Sequence, residues 1–214
     1  MNRPPAFIFD LDDTLYAERD YVSSCFSWVA DRLGQPEIRE SLTAAFKSGE
    51  PDPIGALCAK IGVGDEARIS LISDMRAHQP SISLLPDAER FIARLRAEKF
   101  PYSIVTNGRS VTQRRKIDAL GVGDAISIAI SEEIGAEKPD PQIFSLAAEA
   151  HEGAACVYVG DNPGKDFLTP NKMNWLSVMR AHDGSGVHRQ DIEVPVQWRA
   201  QRIVSALDEL VDLI

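Results

Sequence analysis

Long apolar runs are missing from this chain of 214 residues. The best candidates, such as residues 125–130, fall far short of the roughly 18 consecutive apolar residues that a membrane-spanning helix needs. Cysteine is scarce: Cys25, Cys58 and Cys156 are odd in number and too widely spaced for a C-x-x-C pair. A disulfide framework or thiolate metal site is thereby disfavoured, and the thiols are expected to be reduced and buried. The four histidines form no H-E-x-x-H cluster, which argues against zinc. Basic charge is in deficit, with 23 Lys and Arg against 32 Asp and Glu and a net charge of -9. A polymer of nucleic acid is an unsuitable partner for such a surface. No N-terminal apolar stretch has the length of a secretory h-region, because 6–9 runs straight into Asp10, Asp12 and Asp13. A cytoplasmic location with neither membrane nor nucleic-acid partner is the expectation.

What is present is a globular balance, 44% hydrophobic and 26% charged, with room for one core and an insert. Ala6-Phe7-Ile8-Phe9 has the continuous apolar character of a strand buried on both faces, and it ends in carboxylates. Similar runs recur at 102–105, 126–130, 156–159 and 176–179, separated by enough chain for helical crossovers. Pro86 opens a helix with Phe91, Ile92 and Leu95 on one face. Ser110 is expected to cap another, with Gln113 as the third residue of a capping box and Gly121 at its end. Asp140-Pro141 starts a third, and Ser205 with Asp208 a terminal one carrying Leu207, Leu210 and Val211. This alternation predicts an α/β fold with a doubly wound parallel sheet.

Residues 16–85 interrupt that rhythm with amphipathic helix patterns. Val22, Phe26, Val29 and Leu33 make one stripe, and Ile69, Ile72, Met75 and Arg76 another. The expectation is a core domain of residues 1–15 and 86–214 and an inserted α-helical cap domain of residues 16–85, hanging over the strand ends where ligands of such sheets bind. The Asp183-Gly184-Ser185-Gly186 stretch reads as a flexible turn.

Four polar clusters follow predicted strands or precede a predicted helix: Asp10-Leu11-Asp12-Asp13-Thr14, Thr106-Asn107-Gly108, Lys138-Pro139-Asp140-Pro141, and Gly160-Asp161-Asn162-Pro163-Gly164-Lys165-Asp166. Strand ends of a parallel sheet share one edge, so these groups can converge. In this order they resemble the four motifs of the haloacid dehalogenase (HAD) superfamily, mainly its phosphatases with a helical cap. The finer strings around Thr106 and Lys138, with Gln113, Ile143 and Phe144, are similar to members acting on nucleoside monophosphates and phosphorylated sugars.

The resemblance implies a Mg²⁺-dependent phosphatase of a small phosphorylated metabolite. Asp10 would be the nucleophile, Asp12 the acid and base, and Thr106 and Lys138 the groups that bind the transferring phosphoryl oxygens, with backbone N–H groups near Leu11 and Asn107 completing the cradle. Asp10, Asp161, Asp166 and the backbone carbonyl of Asp12 would serve the metal, Asp166 through a water or an outer hydrogen bond. The chemistry agrees, because an anionic nucleophile meeting an anionic phosphate needs a hard cation and fixed positive charge. Asp13 is left out of the catalytic set, and Thr14 is expected to tie the turn. Gln113 is assigned to its cap, Phe26 and Trp28 to the core, and Arg109, Arg19 and Tyr21 carry only weak substrate readings. Pro170 is expected to interrupt the helix after the fourth cluster. A phosphomutase or phosphotransferase, and a phospholigand-binding module without turnover, remain as alternatives.

Overall fold

The computed structural model describes residues 5–184 and 186–214, so Ser185 of the expected flexible turn lies outside the described residues. In chain order the elements are β1 (Ala6–Phe9), α1 (Glu18–Leu33), α2 (Glu37–Lys47), α3 (Pro53–Ile61), α4 (Asp65–Ala77), α5 (Pro86–Glu98), β2 (Tyr102–Thr106), α6 (Ser110–Leu120), β3 (Ser127–Ile130), α7 (Ser131–Ile134), α8 (Pro141–Ala150), β4 (Cys156–Gly160), α9 (Leu168–Lys172), β5 (Leu176–Arg180) and β6 (Arg202–Val204). They fall into two compact units, Met1–Glu18 with Ser83–Ile214, and Arg19–Ile82. No helix among the described residues is long and apolar enough to cross a membrane.

The larger unit holds a six-stranded sheet in the order β3-β2-β1-β4-β5-β6, parallel at every pairing. β1 lies between β2 and β4, with Phe9 in register with both Ile104 and Val159. All four of its side chains are fully buried, which is why they are apolar without alternation. Phe91 of α5 packs edge-on against Phe7 at 5.2 Å. Phe144 of α8 meets Tyr158 and Trp175 within a cluster that includes Ile8, Val105 and Ile143. The strand order turns back between β1 and β4, the crevice where open α/β sheets bind ligands.

Several local expectations change. Ser110 is the first residue of α6, not its cap; Arg109 occupies that position without a side-chain hydrogen bond. Gln113 is therefore no capping-box partner, and its side chain is buried. Pro170 does not break α9 but sits third in it, where its missing N–H is one of the first four that a helix leaves unpaired anyway. The terminal α-helix is instead a 3₁₀ helix, Leu207–Leu213. Its buried residues, Leu207 and Leu210, are three apart, the repeat of a 3₁₀ turn. Glu209 rather than Asp208 takes the N–H groups of Ser205 and Ala206. The short edge strand β6 escapes a reading by apolar runs because its Ile203 is exposed.

The smaller unit is helical, with Phe26, Val29, Ala30, Ile38, Leu42, Leu57, Cys58 and Leu71 at its centre. α4 turns Leu71 inward and leaves Ile69 64% exposed, so Ile69 falls off the expected stripe while Ile72, Met75 and Arg76 stay partly covered on it. All three cysteines are free and buried.

Candidate functional site

Asp10 follows the last residue of β1, Thr106 closes β2, and Asp161 follows Gly160 at the end of β4. Lys138 stands in the loop between α7 and α8, and its backbone is pinned by Asn107, whose Oδ1 accepts the Lys138 N–H at 2.9 Å. From there the Lys138 ammonium reaches Asp10 Oδ1 and Asp166 Oδ1, each at 2.7 Å, and the Tyr158 hydroxyl at 3.2 Å. Asp166 is fully engaged: Oδ1 also accepts from Tyr158 at 2.9 Å and Oδ2 from the Asn162 N–H at 2.7 Å. It can occupy that place because residue 160 is glycine; a Cβ there would lie 2.6 Å from Asp166 Oδ2.

One carboxylate oxygen from each of Asp10, Asp161 and Asp166 lies within 4.8 Å of the others. Burial pushes the Asp10 carboxyl up, the Lys138 charge pulls it back, and the negative charge of Asp166 and Asp12 adds to the rise, to about 7. Asp161 is pushed up to about 9 by burial and by the neighbouring Asp10 and Asp166. Its Oδ2 is buried and has no hydrogen-bond partner among the described residues. An all-oxygen donor set with an orphaned buried oxygen fits a hard divalent cation such as Mg²⁺.

Asp12 lines the same small cavity as Asp10, Lys138 and Asp161. Its Oδ1 accepts from the Tyr16 hydroxyl and from Lys116 Nζ at 2.6 Å. Its Oδ2 accepts from Gln113 Nε2 at 2.9 Å. Burial works to raise this carboxyl, but the Lys116 charge and the three hydrogen bonds outweigh it and hold Asp12 below the ordinary range. The half-buried Glu18, on the same cavity, is pushed up to about 8 by burial and by the Asp12 charge. Lys165 and His188 complete the rim.

Asp10, Asp12, Asn107, Lys138, Asp161 and Asp166 thus share one cavity, and Thr106 joins Asp12 through the Gln113 side chain. Leu11 is fully buried in the loop between Asp10 and Asp12. Asp13 stays out of the cluster: at φ 50°, its carboxylate accepts the N–H groups of Glu18 at 2.8 Å and Val187 at 2.6 Å. Thr14 does not tie the turn through its hydroxyl, which is buried without a partner among the described residues. Arg109 is exposed beside Glu132 at 3.5 Å. Tyr16, Gln113, Lys116 and Tyr158 are the contributors that reading by motif passes over. A signal for two of them exists, since Gln113, Lys116, Ile117 and Leu120 follow the spacing of one buried helix face and the first two are polar.

The family model of the haloacid dehalogenase-like hydrolases matches residues 4–169. A glyceraldehyde 3-phosphate phosphatase of Methanopyrus kandleri is 30% identical over 81% of this chain and 82% of its own. A phosphoserine phosphatase of Thermus thermophilus is 41% identical over a shorter stretch, 39% of this chain and 34% of its own. Among solved structures, the HAD-hydrolase YfnB of Bacillus subtilis, bound to magnesium, superposes with a TM-score of 0.70 at 21% identity, covering 99% of both chains. The chain belongs to the haloacid dehalogenase-like hydrolases. Within them its enzyme class is phosphatase.

Proposed function

We propose that this phosphatase hydrolyses a small phosphomonoester of the sugar phosphate or nucleoside monophosphate type, with Mg²⁺ as cofactor and Asp10 as nucleophile. The observation that carries the reading is the pairing of Asp10 with Lys138 at 2.7 Å beside the orphaned Asp161 Oδ2. Asp10, Asp161 and the Asp12 backbone carbonyl would hold the cation, with Asp166 supporting from behind. When bound, Mg²⁺ supplies charge screening between the nucleophile and the phosphate.

In the first half-reaction an Asp10 oxygen attacks phosphorus, the ester P–O bond breaks, and the departing alkoxide takes a proton from Asp12. In the second, water attacks the aspartyl phosphate, its proton passes to Asp12, and phosphate leaves with the Asp10 carboxylate restored. Water is consumed, alcohol and phosphate are released, and the proton that Asp12 gives in the first half-reaction is matched by the one it takes in the second. Lys138 is held protonated, because the charges of Asp10 and Asp166 overcome the effect of burial. It neutralises the charge growing on the phosphoryl oxygens while Thr106 and backbone N–H groups near Leu11 and Asn107 bind them. The relatives named above act on small phosphorylated metabolites, which supports a substrate of that size. Buried reduced thiols suit a cytoplasmic setting.

The test is phosphate release from a panel of sugar phosphates, nucleoside monophosphates and an aryl phosphate, with and without Mg²⁺, for the native chain and Asp10→Asn. Metal-dependent release that the substitution abolishes supports the reading. Full turnover by Asp10→Asn overturns the nucleophile, and phosphate binding without release from any ester favours a binding module.

A further inference from the structure

We propose that Gln113 and Lys116 are positioning residues for Asp12, presented together from the buried face of α6. The proposal rests on the reading of Asp12 as the acid and base. A group that moves a proton to and from a reacting oxygen must be held within hydrogen-bond reach of it, and a displacement of about 1 Å can cost on the order of 10²-fold in rate. Here the two carboxylate oxygens are held separately. Lys116 and Tyr16 converge on Oδ1, and Gln113 takes Oδ2. With donors on both sides, the carboxylate plane is fixed.

Gln113 does more than hold one oxygen. Its Nε2 lies 2.9 Å from Asp12 Oδ2 and 2.6 Å from Thr106 Oγ1, so its two hydrogens join the acid/base to the hydroxyl that closes β2. The backbone is shaped around this side chain: a Cβ at Gly108, whose φ is +143°, would lie 3.1 Å from both Cγ and Cδ of Gln113. Lys116 is 3% exposed. A buried ammonium is costly unless an anion faces it, so its place opposite Asp12 is specific rather than incidental. Neither residue lies in the four motifs, and neither lines the cavity that holds Asp10; both act through Asp12.

The experiment separates positioning from general structural support by the leaving group. An alkyl phosphate needs a proton delivered to its departing oxygen, whereas an aryl phosphate with an acidic phenol does not. The second-order constant kcat/KM covers the steps up to release of the alcohol, so slow hydrolysis of the aspartyl phosphate does not mask the difference. Lys116→Met, Gln113→Leu and Asp12→Asn are compared with the native chain, in saturating Mg²⁺, on glycerol phosphate and on 4-nitrophenyl phosphate. Lys116→Met is expected to lose about 10- to 100-fold on the alkyl ester and less than about 3-fold on the aryl ester, and Gln113→Leu, which also releases Thr106, about tenfold more on the alkyl than on the aryl ester. Lys116→Arg should recover most of the loss, and Lys116→Met should add no further loss on the alkyl ester in an Asp12→Asn background. Equal losses on both esters, or none on the alkyl ester, overturn the positioning role while leaving Asp12 in place. If Asp12→Asn itself fails to distinguish the two esters, Asp12 is not the acid and this role falls with it. Should Lys116→Met not fold, Gln113→Leu carries the same comparison.

Discussion

The Cα of Gly160 faces the carboxylate of Asp166 so closely that a methyl group there would sit 2.6 Å from Oδ2 and 2.7 Å from Cγ. Both Asp166 oxygens are bound to Lys138, Tyr158 and the Asn162 N–H, so the side chain has no free direction in which to retreat. Gly160→Ala is expected to displace Asp166 and loosen Lys138 with it. Turnover should fall on the order of 10²-fold, with a loss of about 1–3 kcal/mol in unfolding free energy. Steady-state kinetics and urea unfolding of the purified variant check both, and native turnover would show that the Lys138 anchor tolerates the shift.

Removal of the cation is expected to stop turnover without unfolding the chain, because the sheet is held by apolar packing that does not involve Asp10 or Asp161. Two carboxyls pushed up to about 7 and about 9 would relieve their mutual repulsion by sharing the proposed divalent ion. Saturating Mg²⁺ should therefore raise the thermal midpoint, with a gain of about 2.7 kcal/mol at a hundredfold excess over Kd. Far-UV circular dichroism in chelator should match that in Mg²⁺. Asp161→Asn should lose the thermal shift; a full shift in that variant would place the ion elsewhere.

Away from the site, Arg180 at the end of β5 grips Asp87 of α5 through two bonds of 2.6 and 2.8 Å. Asp87 Oδ2 also accepts the Leu207 N–H at 2.7 Å, so one carboxylate joins a strand, a helix and the terminal 3₁₀ turn. Burial works to raise this carboxyl, but the bonds from Arg180 and Leu207 and the Arg180 charge hold it below the usual carboxylate range. A folded-state value below the unfolded one, about 3.9, stabilises the fold at higher pH and loses that contribution as pH falls through the acid range. Asp87→Ala should cost about 3–5 kcal/mol at pH 7. Its difference from the native chain should narrow below about pH 4, as read from urea midpoints across that range.

The parallel sheet and the site acids are legible for one shared reason. A strand covered on both faces is a short unbroken apolar run, as in Ala6–Phe9, so carboxylates such as Asp10 stand out at its end. Convergence of Asp10, Thr106 and Asp161 then follows from parallel topology, and Lys138 joins them from the α7–α8 loop through its bond to Asn107. Lys116 and Gln113 are hidden by the opposite circumstance. A polar residue on a helix looks solvated until its face is known, and theirs points inward beside Ile117 and Leu120. Ser110 misleads because a hydroxyl near a helix start is usually a cap, whereas here it bonds Glu133. In α4, Ile69 draws the stripe by its hydrophobicity, yet Leu71 is the residue that packs.

The strand order has a consequence for how the protein is made. β1 is the first strand to be synthesised, but its two neighbours are β2 and β4, at residues 102–106 and 156–160. The helical unit, complete by Ile82, can be finished while the strand bearing Asp10 still lacks both partners. During translation the four apolar residues that will sit at the centre of the sheet therefore wait for cover until residues 102–106 and 156–160 have been made. The acidic run of Asp10, Asp12 and Asp13 directly abuts that segment, charge of the kind that guards an apolar strand against aggregation before it pairs.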